Sequence, residues 1–193
     1  MITGILLAAG AGIRFGGGKL KQVLPNGLAI CVASARNLAI SVDHVIAVVR
    51  PGDQATHDLL SGEPCTKIIV CERASEGMGH SLAAAVVESS PDSGIIIALG
   101  DMPLIKPATI RAVAGAIERG AAFAMPQYRG QRGHPVGIHA RFRDDLIKLE
   151  GDAGARAIIA SRQAQVQLIE VDDSGVLVDI DTVTDLQNVS KTP

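Results

Sequence analysis

A chain of 193 residues, 47% of them apolar, is long enough for one domain with a hydrophobic core of its own. Its 18 basic and 20 acidic side chains leave a net charge of −2, which excludes a general electrostatic attraction to nucleic acid or to an anionic membrane, so any anion binding has to be local. One Tyr, three Phe and no Trp also argue against stacking of single-stranded nucleic acid.

The first apolar run, Ile2 to Leu7, predicts a short buried strand. It breaks into Ala8-Ala9-Gly10-Ala11-Gly12-Ile13-Arg14-Phe15-Gly16-Gly17-Gly18-Lys19. Glycines at the end of a buried strand let backbone N–H groups close on an anion, and Arg14 and Lys19 can neutralise what those amides hold, which suits a polyphosphate. The loop is not a Walker A motif, because Leu20 follows Lys19 and no hydroxyl is available for a metal. Nor is it a dinucleotide fingerprint, because Phe15 stands where the third glycine belongs. The alternative is a flexible surface turn between a strand and a helix.

Further strands are predicted at His44 to Val49, Lys67 to Val70, Ile95 to Leu99, Ala122 to Met125, Pro135 to His139, Val166 to Ile169 and Val176 to Val178. Helical periods run over Ala29 to Ile40, Gln54 to Leu60, Met78 to Ser89, Pro107 to Arg119, Arg141 to Lys148, Gly154 to Arg162 and Thr182 to Val189. The alternation is βαβα. Runs such as Ile95-Ile96-Ile97-Ala98-Leu99 are apolar without alternation, as strands covered on both faces are, so the expected fold is α/β with a mostly parallel, doubly wound sheet. Gln127 to His134 reads as a long loop whose neighbouring strands form a small antiparallel excursion. No linker or repeat divides the chain, and residues 1–193 are expected to form a single domain.

Cys31, Cys65 and Cys71 lack C-x-x-C spacing and lie in or beside apolar runs, the pattern of free thiols in a cytosolic protein. The first apolar run is short and has no basic segment before it, and no stretch approaches the ~20 apolar residues of a membrane span. A soluble, cytoplasmic protein is expected.

In Leu99-Gly100-Asp101-Met102-Pro103 a carboxylate follows directly on the most apolar strand. A strand-end acid at the rim of a parallel sheet is placed to hold Mg2+ against substrate phosphates. Alternatively, Asp101 opens a turn and caps the segment after it. In Asp179-Ile180-Asp181-Thr182, an extended backbone would point both acids to one side and bury Ile180 on the other, so that both converge on a cation; Asp181 also suits a helix cap.

Leu6-Leu7-Ala8-Ala9-Gly10 through Arg14-Phe15-Gly16 to Lys19, Gly77-Met78-Gly79-His80-Ser81-Leu82, Leu99-Gly100-Asp101-Met102-Pro103, Gly133-His134-Pro135-Val136, Gly151-Asp152-Ala153-Gly154-Ala155-Arg156 and Asp179-Ile180-Asp181-Thr182 occur in this order over nearly the whole chain. Together they resemble the MobA-like nucleotidyltransferases, most nearly the molybdenum cofactor cytidylyltransferases. The resemblance implies a Rossmann-like nucleotidyltransferase fold and Mg2+-dependent transfer of CMP from CTP to the molybdopterin-bound cofactor. The products would be molybdopterin cytosine dinucleotide and pyrophosphate.

By the same resemblance, Leu7, Ala8, Ala9, Gly10 and Gly12 wrap the triphosphate, Arg14 and Lys19 neutralise it, and Asp101 and Asp181 hold the metal. Ser81 touches the nucleotide, while Met78 and Leu82 pack. His134 and Pro135 border the acceptor pocket, with Asp152 and Arg156 near it. For His80 an ordinary helix N-terminus, for His134 a capping or core position, and for Arg129 and Arg132 a solvated loop are the competing assignments. Val183 departs from the family, which usually has proline there. A preference for CTP rests on the second alanine of Ala8-Ala9-Gly10, where guanylyltransferases of the family tend to carry glycine.

Attack of an acceptor phosphate on the α-phosphorus needs positive charge and in-line placement more than a protein nucleophile, so the lack of a Ser-His-Asp or Cys-His set fits. Two other readings stay open. One is a related transferase with another nucleotide or phosphorylated acceptor; the other is a non-catalytic nucleotide-binding chaperone of a molybdoenzyme. A molybdoenzyme is the expected recipient.

Overall fold

The computed structural model describes residues 1–64 and 67–189, so Cys65 lies outside the described residues. Its single α/β domain is built on a sheet of β1 (Ile2–Leu7), β2 (His44–Val49), β3 (Lys67–Val70), β4 (Gly94–Leu99), β5 (Phe123–Tyr128), β6 (Gln131–Arg132), β7 (Val136–Ile138) and β8 (Val166–Glu170). The strand order is β3-β2-β1-β4-β7-β5-β6, and β8 also pairs with β5. The first four strands are mutually parallel, as is the β5–β8 pair, while β7 runs antiparallel between β4 and β5.

Helices α1 (Ile30–Ala39), α2 (Gln54–Ser61), α3 (Met78–Glu88), α4 (Pro107–Glu118), α5 (Arg143–Leu146), α6 (Arg156–Ala160) and α7 (Val183–Val189) complete the described residues. Two apolar clusters form, one for each face of the sheet. Ile2 and Leu6 of β1 join Ile30 and Leu38 of α1 and Ile110 and Val113 of α4 on one face; Ile5 and Leu7 join Leu82 of α3, Leu146 of α5 and Ile158 of α6 on the other. This two-sided burial is why the strand sequences do not alternate.

The expected antiparallel excursion is present, but its loop is short. β5 runs on to Tyr128 and turns through Arg129 and Gly130, both at positive φ, into β6. β6 and β7 are one strand line interrupted by Gly133-His134-Pro135, with a cis His134–Pro135 peptide. Gln127 pairs with Arg132 and Ala124 with Gly137, so residues 133–136 face only residues 125–126. Two extra residues are therefore pushed out of the ladder at His134.

Several expected elements change. Val176 to Val178 forms no strand: Ser174–Leu177 is a 3-10 turn, because Asp173 accepts the Gly175 N–H at 3.1 Å and Gly175 packs directly on the Leu104 carbonyl. Val176 is still fully buried, so its apolar character reflects burial without pairing. The predicted helix from Arg141 to Lys148 shortens to a 3-10 turn at Ala140–Phe142 followed by α5, and that from Gly154 to Arg162 shortens to α6. Cys31 and Cys71 are buried thiols. No described helix is long and apolar enough to cross a membrane.

Candidate functional site

The chain winds from β1 outward to β2 and β3, then returns through α3 to β4 on the other side of β1. Leu7 and Leu99 are partners at the carboxyl ends of these two strands, and the loops leaving them diverge to open a crevice. Gly100 donates its N–H to the Leu7 carbonyl at 2.9 Å, and a β-carbon on it would fall 3.2 Å from that oxygen. Glycine thus lets the two loop origins touch, and Asp101 follows at once.

Asp101 and Asp181 converge on Lys19, whose Nζ lies 2.7 Å from Asp101 Oδ2 and 2.7 Å from Asp181 Oδ1. Arg14, 79% exposed, donates to Asp181 Oδ2 at 2.5 Å. Burial pulls the Lys19 ammonium down, but hydrogen bonds to Asp101 and Asp181 and the charges of both outweigh it and hold its pKa above the ordinary lysine value. Asp101 Oδ1 is buried with no hydrogen-bond partner.

The Asp181 carboxylate is free for this because the cap of α7 is made elsewhere. Asp185 Oδ2 accepts from the Thr182 N–H at 2.7 Å and Thr182 Oγ1 accepts from the Asp185 N–H at 3.2 Å, a reciprocal capping pair. The same Asp185 oxygen takes the Asp181 N–H at 3.1 Å, and the Ile180 N–H reaches the Asp101 carbonyl at 3.0 Å, which fixes the two acid loops against each other. Ile180 is fully buried as expected, but Asp179 does not join Asp181; it lines a different cavity.

Two cavities share Leu7, Met78, Leu99 and Asp152, and Lys19 and Asp101 of the cluster line one of them. One, about 690 Å³, is lined by Ala9, Gly10, Lys19, Arg50, Glu72, Ser75, Ser81 and Asp101. The other, about 640 Å³, has an apolar floor including Met102, Met125 and Val136, and a rim of Arg132, His134, Arg156, Gln163 and Asp179. Ala8 is buried beneath Gly100, and Gly12, at φ 59°, packs on the Lys19 side chain. Pro135 is buried behind His134.

The segment opening α3 is locked to the loop before α6. Gly77 has φ 133°, and a β-carbon on it would lie 2.2 Å from the Gly151 carbonyl carbon; Gly79 donates to the Gly151 carbonyl at 2.7 Å. The buried His80 accepts the Gly151 N–H at 3.3 Å, a structural tie rather than a plain helix start. This lock sets Ser81 into the first cavity and Asp152 between the two. Met78, expected to pack, is 46% exposed and walls both cavities; Leu82 packs as expected and also lines the second.

His134 is held by its own N–H to the Val176 carbonyl at 3.0 Å, and its Nδ1 is buried without a partner. Burial pushes its pKa below the ordinary histidine value, against the opposing pull of Asp101. It caps no described helix, and it is a largely buried histidine that also lines the second cavity. Arg132, assigned to a solvated loop, lines the second cavity.

Sequence reasoning missed Arg50, Glu72 and Ser75, which follow β2 and β3 and meet Ser81 only after folding. Their one available signal was position at strand carboxyl ends. It also missed Met102, Met125 and Gln163, for which no local motif exists.

A family model described as the MobA-like NTP transferase domain matches residues 4–167. Nicotine blue oxidoreductase from Paenarthrobacter nicotinovorans is 33% identical over 191 residues, covering 94% of this chain and 93% of that protein. The crystal structure of Rv0371c from Mycobacterium tuberculosis H37Rv has a TM-score of 0.85 at 26% identity, covering 99% of this chain and 97% of that one. Its complex with manganese has a TM-score of 0.83 at 24% identity, covering 100% and 99%. The structure of molybdopterin-guanine dinucleotide biosynthesis protein A from Archaeoglobus fulgidus shares the fold, with a TM-score of 0.70 at 18% identity over 98% and 97% of the two chains.

Proposed function

Because the chain belongs to the MobA-like NTP transferase family, we propose that it is a Mg2+-dependent cytidylyltransferase, one domain over residues 1–193, transferring CMP from CTP to a molybdopterin-type acceptor. The observation that carries this reading is a pair of cavities that meet at Leu7, Met78, Leu99 and Asp152, one of them lined by Lys19 and Asp101. A transferase joining two phosphorylated molecules needs two pockets that meet, so that the reacting groups can be held in line.

The first cavity suits the nucleotide. Leu7, Ala8, Ala9, Gly10 and Gly12 would wrap the triphosphate, with Lys19 and Arg14 as counter-charges and Ser81 as a hydrogen-bonding contact. Glu72 and Arg50 supply an acceptor and a donor, and Glu72 can accept a hydrogen bond from an exocyclic base amine such as cytosine N4, which uracil lacks. The second cavity suits the acceptor: the face of a flat heterocycle can lie on the apolar lining of Met102, Met125 and Val136, while Arg132, Arg156, His134 and Asp152 offer charge and hydrogen bonds to its polar edge and phosphate.

No cluster of three His, Cys, Asp or Glu able to hold a metal exists among the described residues, so a cation here would take Asp101 and Asp181 and fill its shell with phosphate and water oxygens. The buried, unpartnered Asp101 Oδ1 fits that demand. When bound, the ion would neutralise phosphate charge and hold the triphosphate in line. The manganese complex of Rv0371c supports divalent-ion chemistry in this family, and the fold shared with the Archaeoglobus protein supports a molybdopterin-type acceptor. An acceptor phosphate oxygen attacks the α-phosphorus, the bond from that phosphorus to the bridging oxygen breaks, and pyrophosphate departs. A phosphomonoester with a second pKa of about 6 is already largely ionised near neutral pH, so no protein base is required. Transfer of the product to a cytoplasmic molybdoenzyme completes the reading.

The Paenarthrobacter relative, named an oxidoreductase and alike over nearly its full length, favours a second reading in which the same crevice serves a redox reaction. Pyrophosphate release is the deciding assay, with Mg2+ and each of CTP, GTP, ATP and UTP, with and without molybdenum-loaded molybdopterin. Release only with CTP and that acceptor bears out the cytidylyltransferase. Preference for another nucleotide overturns the base assignment. Silence with all four overturns transfer to this acceptor and leaves the redox or chaperone reading.

A further inference from the structure

The two carboxylates proposed for the divalent ion are neutralised by the protein's own cations. Lys19 Nζ bridges Asp101 Oδ2 and Asp181 Oδ1 at 2.7 Å each, and Arg14 takes Asp181 Oδ2 at 2.5 Å. Of the four carboxylate oxygens, Asp101 Oδ1 is left without a partner. The bridging ammonium thus sits on the line through which a shared cation would join the two acids.

We propose that Lys19 is an exchangeable internal counter-ion: it holds Asp101 and Asp181 together until the nucleotide arrives, then transfers to the triphosphate as the divalent ion takes its place. Metal and nucleotide therefore bind as a coupled pair, and metal alone binds weakly. This inference rests on the nucleotide and metal roles proposed above.

Charge balance requires the coupling. Two carboxylates and two side-chain cations already cancel, so a divalent ion alone leaves surplus positive charge in a partly buried site, whereas the triphosphate absorbs it. The chain is built for the exchange. Lys19 is nine-tenths buried yet lines the first cavity beside Gly10, and a lysine carries its charge on a flexible four-carbon stem. It comes directly after Gly16, Gly17 and Gly18, all at positive φ, a run with no side chains of its own to anchor it.

The test is titration with Mn2+, the free ion followed by electron paramagnetic resonance and corrected for the Mn2+ that the analogue binds without protein, with and without the non-transferring analogue α,β-methylene-CTP. Wild type is expected to bind Mn2+ alone at least about tenfold more weakly than with the analogue. Lys19→Met is expected to bind Mn2+ alone about tenfold more tightly than wild type and to lose most of the difference between the two conditions. Lys21→Gln controls for charge removal, since Lys21 faces Asp53 at 3.7 Å and lies outside the cluster. The proposal is overturned if wild type binds Mn2+ equally well without the analogue, or if Lys21→Gln tightens Mn2+ binding as much as Lys19→Met does. Should Lys19→Met fold poorly, the two wild-type titrations alone decide. An analogue that does not bind at all sinks the nucleotide reading, and the comparison of Mn2+ alone between wild type and Lys19→Met then decides the counter-ion role.

Discussion

Gly77 passes so close to Gly151 that a β-carbon on the former would stand 2.2 Å from the carbonyl carbon of the latter. That contact joins the start of α3 to the loop before α6 and so holds Ser81 in the first cavity and Asp152 in the wall that the two cavities share.

Gly77→Ala meets two penalties, a backbone clash and a φ of 133° that side chains rarely adopt. The variant is expected to lose about 1–3 kcal/mol of stability and to bind nucleotide more weakly. Thermal melting with nucleotide titration checks this; an unchanged Tm would show that the two loops separate freely.

Asp101→Asn keeps the shape of the side chain and removes its charge. Nucleotidyl transfer is expected to fall by about a thousandfold or more with the melting profile of a folded protein retained. Initial-rate assays beside circular dichroism measure both, and near-normal turnover would remove Asp101 from the site.

Protonation of His134 links pH to stability. Its pKa is lower in the folded chain than unfolded, so below the ordinary histidine value near 6.5 the unfolded chain binds more protons. The contribution is full above that value and is lost as pH falls through the folded pKa. Urea titrations of wild type and His134→Gln between pH 7.5 and 5 are expected to diverge at the acid end, with the variant less sensitive to pH. Parallel curves would refute the assignment.

Asp173 is buried and accepts from the Lys106 N–H at 2.8 Å, Thr109 Oγ1 at 2.6 Å and the Gly175 N–H at 3.1 Å. It ties the start of α4 to the turn whose Val176 carbonyl holds His134. Asp173→Ala strands these donors and is expected to cost about 3 kcal/mol, read from the urea midpoint. A shift below a third of that would mean that water replaces the carboxylate.

Among the site residues, those on loops leaving strands were legible because their spacing is local. Gly10, Lys19 and Asp101 stand directly after a parallel strand or in the glycine loop beyond one, and a parallel sheet brings such loops to one edge, whereas Asp181 follows a 3-10 turn and is brought there by the Ile180 N–H on the Asp101 carbonyl. Asp179 and Asp181 do not act as a pair because alternation holds only in an extended strand, and residues 178–181 pair with no strand. The exposure of Met78 was not legible, because an apolar residue in the first turn of a helix carries no mark of whether a crevice opens above it.

The sequence by itself determined the α/β alternation, the two-faced burial of β1 and β4, and the acid and cation set, since these arise from local periodicity and residue chemistry. Only the tertiary structure decided that Lys19 bridges Asp101 and Asp181, that Asp185 relieves Asp181 of capping, and that His134 leaves the β6–β7 line toward a cavity. Each of these depends on distances between segments far apart in the chain, set by strand order and close backbone packing, and no local pattern encodes such distances.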